Sequence, residues 1–243
     1  LEAGDGLYKG TKLAAKDEST MDNSPLHDPV PFDEVSGLLL AADVGVNCMA
    51  ALDGELLEGI FNELGEFDTA QQLRERTVTH KQRIAEWLWD ESRGVFANRM
   101  INGDFVSTLA PTSFFPMAVD IGSMDQAQRM IHGYLNNPSK FGGEFGLPSV
   151  TRDDPAYLDN VYWCGRIWAP LNFWVWQGLK RKGFANEAAQ LAEQSWRLFE
   201  MNWEQRLCGE NFNAETGEVL DQPDTDGFYS WGALLAIMKA LEN

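Results

Sequence analysis

Basic residues are scarce in this chain. Its 19 lysines and arginines face 37 aspartates and glutamates, for a formal net charge of −18. Nucleic acid and anionic membrane surfaces bind through basic patches, so neither is expected as a partner. Cysteine is scarce too. Cys48, Cys164 and Cys208 lie far apart, with no CxxC pair and no zinc-ligand spacing. An odd, scattered set argues against a disulfide framework and fits a reducing cytoplasm. Histidine occurs three times, at His27, His80 and His132. HExxH, GxSxG, GxxxxGK and GxGxxG do not occur. The usual signs of zinc hydrolases, serine hydrolases, P-loop enzymes and dinucleotide-binding domains are therefore missing. No metal site and no cofactor are expected. No apolar run reaches the roughly 18 residues that a membrane-spanning helix needs. No secretory leader pattern is visible.

Aromatic residues, by contrast, are plentiful. The 243 residues include nine Trp and fourteen Phe, and 44% are hydrophobic. That supports one large domain with a sizeable core and leans toward a binding cleft. Glycines with Pro25, Pro29 and Pro31 make residues 1–32 irregular on this reading. Asp33 is a candidate N-cap for a helix over 33–52, and Gly54 a candidate break. Helical spacing of apolar residues predicts further helices over 55–64, 69–90, 111–120, 123–135, 165–182, 187–203 and 229–241. A short hairpin or paired turns are expected over 91–96 and 102–105. Helix, short turn, helix, long loop is the repeating pattern. It predicts an all-α fold of antiparallel helical hairpins, an (α/α)6 toroid or a partial version of it.

One loop stands out: Leu147-Pro-Ser-Val-Thr-Arg-Asp-Asp-Pro-Ala-Tyr157, then Tyr162-Trp-Cys-Gly-Arg-Ile-Trp168. Aromatic faces stack on sugar rings, and fixed carboxylates and guanidiniums bond hydroxyls, so this composition suits a carbohydrate cleft. The competing reading is a Trp-rich segment that only fills a core. Candidate carboxylates fall in three loops: Glu18 and Asp22; Glu144, Asp153 and Asp154; and Glu210. A toroid would open these loops on one end. Glycoside hydrolysis needs such a meeting of distant carboxylates, one to protonate the leaving oxygen and one to activate water. The competing reading of each is a solvated surface group or a helix cap.

Three ordered segments carry a resemblance. Asp17-Glu-Ser-Thr-Met-Asp-Asn-Ser-Pro25, the central loop, and Glu210-Asn-Phe-Asn-Ala-Glu-Thr-Gly217 with Phe228-Tyr-Ser-Trp231 resemble motifs of glycoside hydrolase family 63. Related segments occur in trehalases. The resemblance implies an (α/α)6 barrel and inverting hydrolysis of an α-glucoside or α-mannoside, of oligosaccharide or glycosylglycerate type. It implies Asp22 as general acid and Glu210 as general base. It places Trp163, Arg166 and Trp168 at the sugar site, with Tyr162, Asp153 and Asp154 binding sugar or holding loops. Inversion implies a carboxyl separation of roughly 6.5–9.5 Å. Two departures are visible. Cys164 stands where the family often has Arg. The hairpins amount to only part of a toroid, and the acid segment comes early, as if the first helices of a single catalytic domain over 1–243 were missing. Apolar helix faces left uncovered that way are expected to be covered by a second copy, as a homodimer. The alternatives are a non-catalytic sugar-binding remnant and a trehalase-like hydrolase.

Overall fold

A computed structural model describes residues 10–242. The irregular start expected at residues 1–9 lies outside them. Residues 10–32 are not wholly irregular. Helix α1, Lys12–Asp17, forms there, with the Thr11 hydroxyl capping the Ala14 N–H at 3.3 Å. The loop after it carries Asp22.

Asp33 does not start a helix. It lies in a two-residue strand, β1 (Phe32–Asp33), paired antiparallel with β2 (Leu38–Leu39). Its carboxylate accepts from the Val35 and Ser36 N–H groups at 3.1 and 3.2 Å and from the Ser36 hydroxyl at 2.6 Å, closing the turn between the strands. The helix start falls ten residues later. Asp43 caps α2 (Val44–Glu63) by accepting from the Val46 N–H at 2.9 Å. Between them, β3 (Ala41–Ala42) joins the chain to a later strand.

Gly54 does not break α2. The helix runs through it because α3 (Phe67–Trp87) crosses at that point: a Cβ on Gly54 would stand 2.2 Å from the Thr77 hydroxyl. Only residues 64–66 connect the two helices, so α3 returns antiparallel along α2. The expected hairpin follows as β4 (Trp89–Asp90) and β5 (Val95–Phe96), and β6 (Arg99–Met100) pairs with β3. Strands beyond these two-residue pairs do not occur among the described residues.

The centre of the molecule is short and wholly buried. A 3₁₀ turn, Pro111–Phe114, leads into α4 (Phe115–Ala118), and all eight residues are buried. A full capping box, Ser123 with Gln126, starts α5 (Met124–Met130), which continues as one π turn over Ile131–Leu135. Helix α6 (Ala169–Arg181) packs on α4, on α7 (Ala185–Trp203) and on α8 (Leu234–Ala240). The result is the all-α, partial (α/α) toroid that the helix pattern predicts. Its series of packed helices runs from α3 through α2, α4 and α6 to α7 and α8. Among the described residues, no helix is long and apolar enough to cross a membrane.

Candidate active site

The floor of the site is built by three chain segments laid side by side. Ser149 N–H donates to the Arg166 carbonyl at 2.8 Å. Ile167 and Phe212 exchange N–H···O bonds at 2.7 and 3.0 Å. Helix α6 holds this floor through Asn172, which is fully buried. Its Oδ1 accepts from Leu147 N–H at 2.8 Å, and its Nδ2 donates to the carbonyls of Leu147 and Trp168 at 3.0 and 3.1 Å. A tight turn at Gly165, φ +91°, brings the two parts of the central loop together. A Cβ there would stand 2.4 Å from the Tyr157 carbonyl oxygen.

Glu210 comes out of this floor two residues before Phe212. Its side chain is 93% covered (7% exposed) yet makes defined polar contacts. Tyr162 hydroxyl donates to Oε1 at 2.9 Å and the Asp226 N–H to Oε2 at 3.3 Å. The Trp231 indole N–H donates to the Glu210 main-chain carbonyl at 2.8 Å. Both the carboxylate and its backbone are therefore fixed.

Asp22 is half-buried, within reach of the Glu210 charge. Burial raises its pKa above the ordinary carboxyl value, and the carboxylates of Asp17 and Glu210 raise it further against a backbone hydrogen bond that lowers it. The Tyr162 hydroxyl is pushed up as well, first by burial, then by its bond to Glu210 and by the charges of Glu210 and Asp22. The Glu210 charge thus reaches Asp22, and both charges reach the Tyr162 phenol. Next in the chain, Asn23 bonds the central loop directly: its Oδ1 accepts from Trp163 N–H at 2.9 Å and its Nδ2 donates to the Val161 carbonyl at 3.3 Å.

Trp163 and Trp168 lie parallel, with ring centroids 3.5 Å apart and planes 6° from coplanar. The Trp168 indole N–H donates to the Tyr162 carbonyl at 2.9 Å. Both rings line a cavity of about 220 Å³, together with Thr20, Met21, Asp43 and Trp231. Trp174 stacks on Phe115 at 4.7 Å, and Trp176 is buried, its N–H on Glu242 at 2.8 Å.

Tyr162 links Glu210 to Trp163 and Trp168, and the Asp22 segment joins them through Asn23, whereas three other candidates lie apart. Arg166 is fully buried beneath the floor. Its guanidinium pairs with Asp221 at 2.9 Å and with Asn211, and donates to the carbonyls of Glu218 and Val219 at 3.3 and 3.0 Å. It holds the loop behind Glu210. Asp153 is ion-paired with Lys140 near the surface. Asp154 caps the 3₁₀ turn Pro155–Asp159 through the Ala156 N–H at 3.0 Å and accepts from the Thr108 hydroxyl at 2.9 Å.

Sequence reading missed Trp231, Asp43 and the backbone N–H of Asp226 as parts of the cleft. Trp231 sits in a recognised segment, so its aromatic character was a usable signal. Asp43 precedes an apolar run as an N-cap should. The Asp226 N–H has no sequence signal, since any residue supplies it. Among the described residues, no group of three or more His, Cys, Asp or Glu is arranged to hold a metal ion.

Residues 11–232 match the family model described as "Mannosylglycerate hydrolase MGH1-like glycoside hydrolase domain". Among curated proteins, the chain is 26% identical to a mannosylglycerate hydrolase of Rubrobacter radiotolerans over 93% of its own length and 48% of that protein. It is 30% identical to a cytosolic neutral trehalase of Kluyveromyces lactis over 51% of its length and 17% of that protein. The chain thus spans about half, or less, of the length of these relatives. Among solved structures, a GH63 mannosylglycerate hydrolase from Thermus thermophilus, in complex with glucose, superposes with a TM-score of 0.76 at 23% identity. The match covers 93% of this chain and 61% of that one and shows a shared fold.

Proposed function

The chain belongs to the mannosylglycerate hydrolase MGH1-like glycoside hydrolase family, and on that premise we propose that it hydrolyses an α-glucoside or α-mannoside with inversion. The observation that supports this is the Glu210 carboxylate, held by the Tyr162 hydroxyl at 2.9 Å and close enough to raise the Asp22 carboxyl, with both charges acting on that same hydroxyl. Asp22, kept protonated to higher pH by burial and its acidic neighbours, gives its proton to the glycosidic oxygen as the bond to the anomeric carbon breaks. Glu210, oriented by Tyr162 and the Asp226 N–H, takes a proton from a water as that water's oxygen attacks the anomeric carbon from the opposite face. A free sugar of inverted configuration and an alcohol leave. Solvent returns a proton to Asp22 and removes one from Glu210. The two side chains supply both proton transfers. The relatives' names point to mannosylglycerate as the first substrate to try. The match to a neutral trehalase makes trehalose the second choice.

The test is turnover of mannosylglycerate, glucosylglycerate, trehalose and simple α-glucosides and α-mannosides, with the anomer of the first product read by NMR. Asp22→Asn and Glu210→Gln are each expected to lower kcat by about 10²–10⁴-fold. No turnover of any of them would falsify the hydrolase reading and favour a sugar-binding remnant. Full activity in both variants would overturn the residue assignment.

A further inference from the structure

Asn23 stands beside the acid and has no part in the reaction as written. Its side chain nevertheless spans two backbone groups that flank Tyr162: the N–H of Trp163 and the carbonyl of Val161. Only an amide does both jobs from one planar group. A carboxylate cannot donate, and a hydroxyl is too short to reach both. Cys164 Sγ adds a weak contact to the Asn23 carbonyl at 3.5 Å. The segment so gripped is the one whose Tyr162 hydroxyl holds Glu210. Two hydrogen-bonded links therefore connect the acid's neighbour to the base.

Both turns involved are held in uncommon backbone. Thr20, two residues before Asp22, has φ +64°, and Tyr162 has φ +52°. For a β-branched or bulky residue this left-handed region is strained and persists only where surrounding contacts over-determine it. The Asn23 amide is such a contact for Tyr162, since it bonds the backbone groups on both sides of it.

We propose that Asn23 is a positioning residue whose amide locks the Asp22 loop onto the 161–163 backbone and so fixes the acid relative to the Glu210–Tyr162 pair. The proposal rests on Asp22 being the acid. It makes the setting of Asp22 depend on Asn23. The groups that face Asp22 are Asp17 from α1, Glu210 from the floor, and Tyr162 from the central loop. Loosening the loop lets Asp22 into water and away from Glu210. Its pKa then falls toward the ordinary value, because burial and like charge are what raise it.

The test titrates the Asp22 carboxyl by ¹³C NMR in the full chain, assigned through Asp22→Asn, for wild type, Asn23→Ala and Asn23→Ser. Serine keeps a neutral polar group and serves where the alanine variant fails to fold. The expected result is an Asp22 pKa lower than wild type in the folded variant. On a turned-over glycoside, kcat falls about 10²-fold with KM nearly unchanged, and the alkaline limb of the kcat profile moves to lower pH. An unmoved Asp22 pKa in a folded variant overturns the proposal, whatever the melting temperature does. If the wild-type chain hydrolyses nothing but the Asn23 variants still lower the Asp22 pKa, the lock stands and the hydrolase reading is overturned instead.

Discussion

Tyr162 ties the cleft together through three different parts of one residue. Its hydroxyl bonds Glu210, its carbonyl accepts the Trp168 indole, and its ring meets Trp168 edge-on at 4.8 Å. Tyr162→Phe deletes the hydroxyl alone. A hydrogen bond to a charged group is worth about 1.5–3 kcal/mol, so kcat is expected to fall roughly 10- to 100-fold, with KM little changed. Steady-state kinetics on the best substrate checks this. Asp17 offers a separate handle on the acid. Its carboxylate raises the Asp22 pKa, so Asp17→Asn lowers it. The acid then loses its proton at lower pH, and the alkaline limb of the kcat profile moves down. A limb that stays in place in Asp17→Asn would sink the assignment of that limb to Asp22. Cys164 is buried, and burial pushes its thiol up to about 11. The thiolate is the reactive form, so iodoacetamide is expected to label it slowly in the native protein and rapidly once unfolded.

At the scale of elements, the loop behind Glu210 hangs on Arg166. Its guanidinium reaches Asp221, Asn211 and two carbonyls of that loop without meeting the cleft. Burial lowers the Arg166 pKa, and Asp221 opposes that. Removing one partner of a buried pair leaves the other uncompensated. Arg166→Ala is therefore expected to cost about 3–5 kcal/mol in denaturant unfolding. Burial pushes the Asp221 carboxyl up, but hydrogen bonds from Asn213 and Asn160 and the charge of Arg166 outweigh it and hold it below the ordinary value. A depressed folded pKa gives stability that is fully present above the unfolded value. That stability is lost as pH falls through the folded one. Melting temperature should thus drop below about pH 4 in wild type and drop less steeply in Asp221→Asn. In the α2–α3 pair, Gly54→Ala is expected to destabilise by about 1–3 kcal/mol despite alanine's better helix propensity, because its methyl meets Thr77. Thr77→Ala should recover most of that loss.

These elements also show what could be seen beforehand. The paired helices were legible because their apolar faces repeat at helical spacing. Asp33 and Asp43 look alike in sequence, since each precedes an apolar stretch. Only the pairing of Phe32–Asp33 with Leu38–Leu39 decides between turn and cap. Gly54 looked like punctuation because the approach of Thr77 belongs to another helix. Asp22 and Glu210 stand in ordered sequence motifs, which is what makes them candidates. Asp153, Asp154 and Arg166 stand in an equally suggestive loop, but depth and partners separate them from the cleft, and neither is written in the local sequence.

For the whole molecule, charge and shape dominate. A formal charge of −18 on 243 residues means self-repulsion in the folded state. At low ionic strength that repulsion is little screened, so melting temperature is expected to rise between about 0.01 and 0.15 M salt, where the Debye length shrinks from roughly 30 to 8 Å. The helix series ends in α3 on one side, where Phe67 and Val78 are 67% and 60% exposed. A second copy covering such faces is the homodimer proposed from the sequence. Sedimentation at micromolar concentration should then give twice the chain mass, and a single-chain mass would rule it out.

The parallel indoles of Trp163 and Trp168 have an optical consequence. Transition dipoles held this close couple as an exciton pair, which gives a two-signed band in circular dichroism wherever the two dipoles are not parallel within their stacked planes. One of those rings hangs on the Asn23 loop and the other on the α6 end of the floor. A couplet from this pair would gauge whether acid loop and floor are docked, readable before any substrate is known.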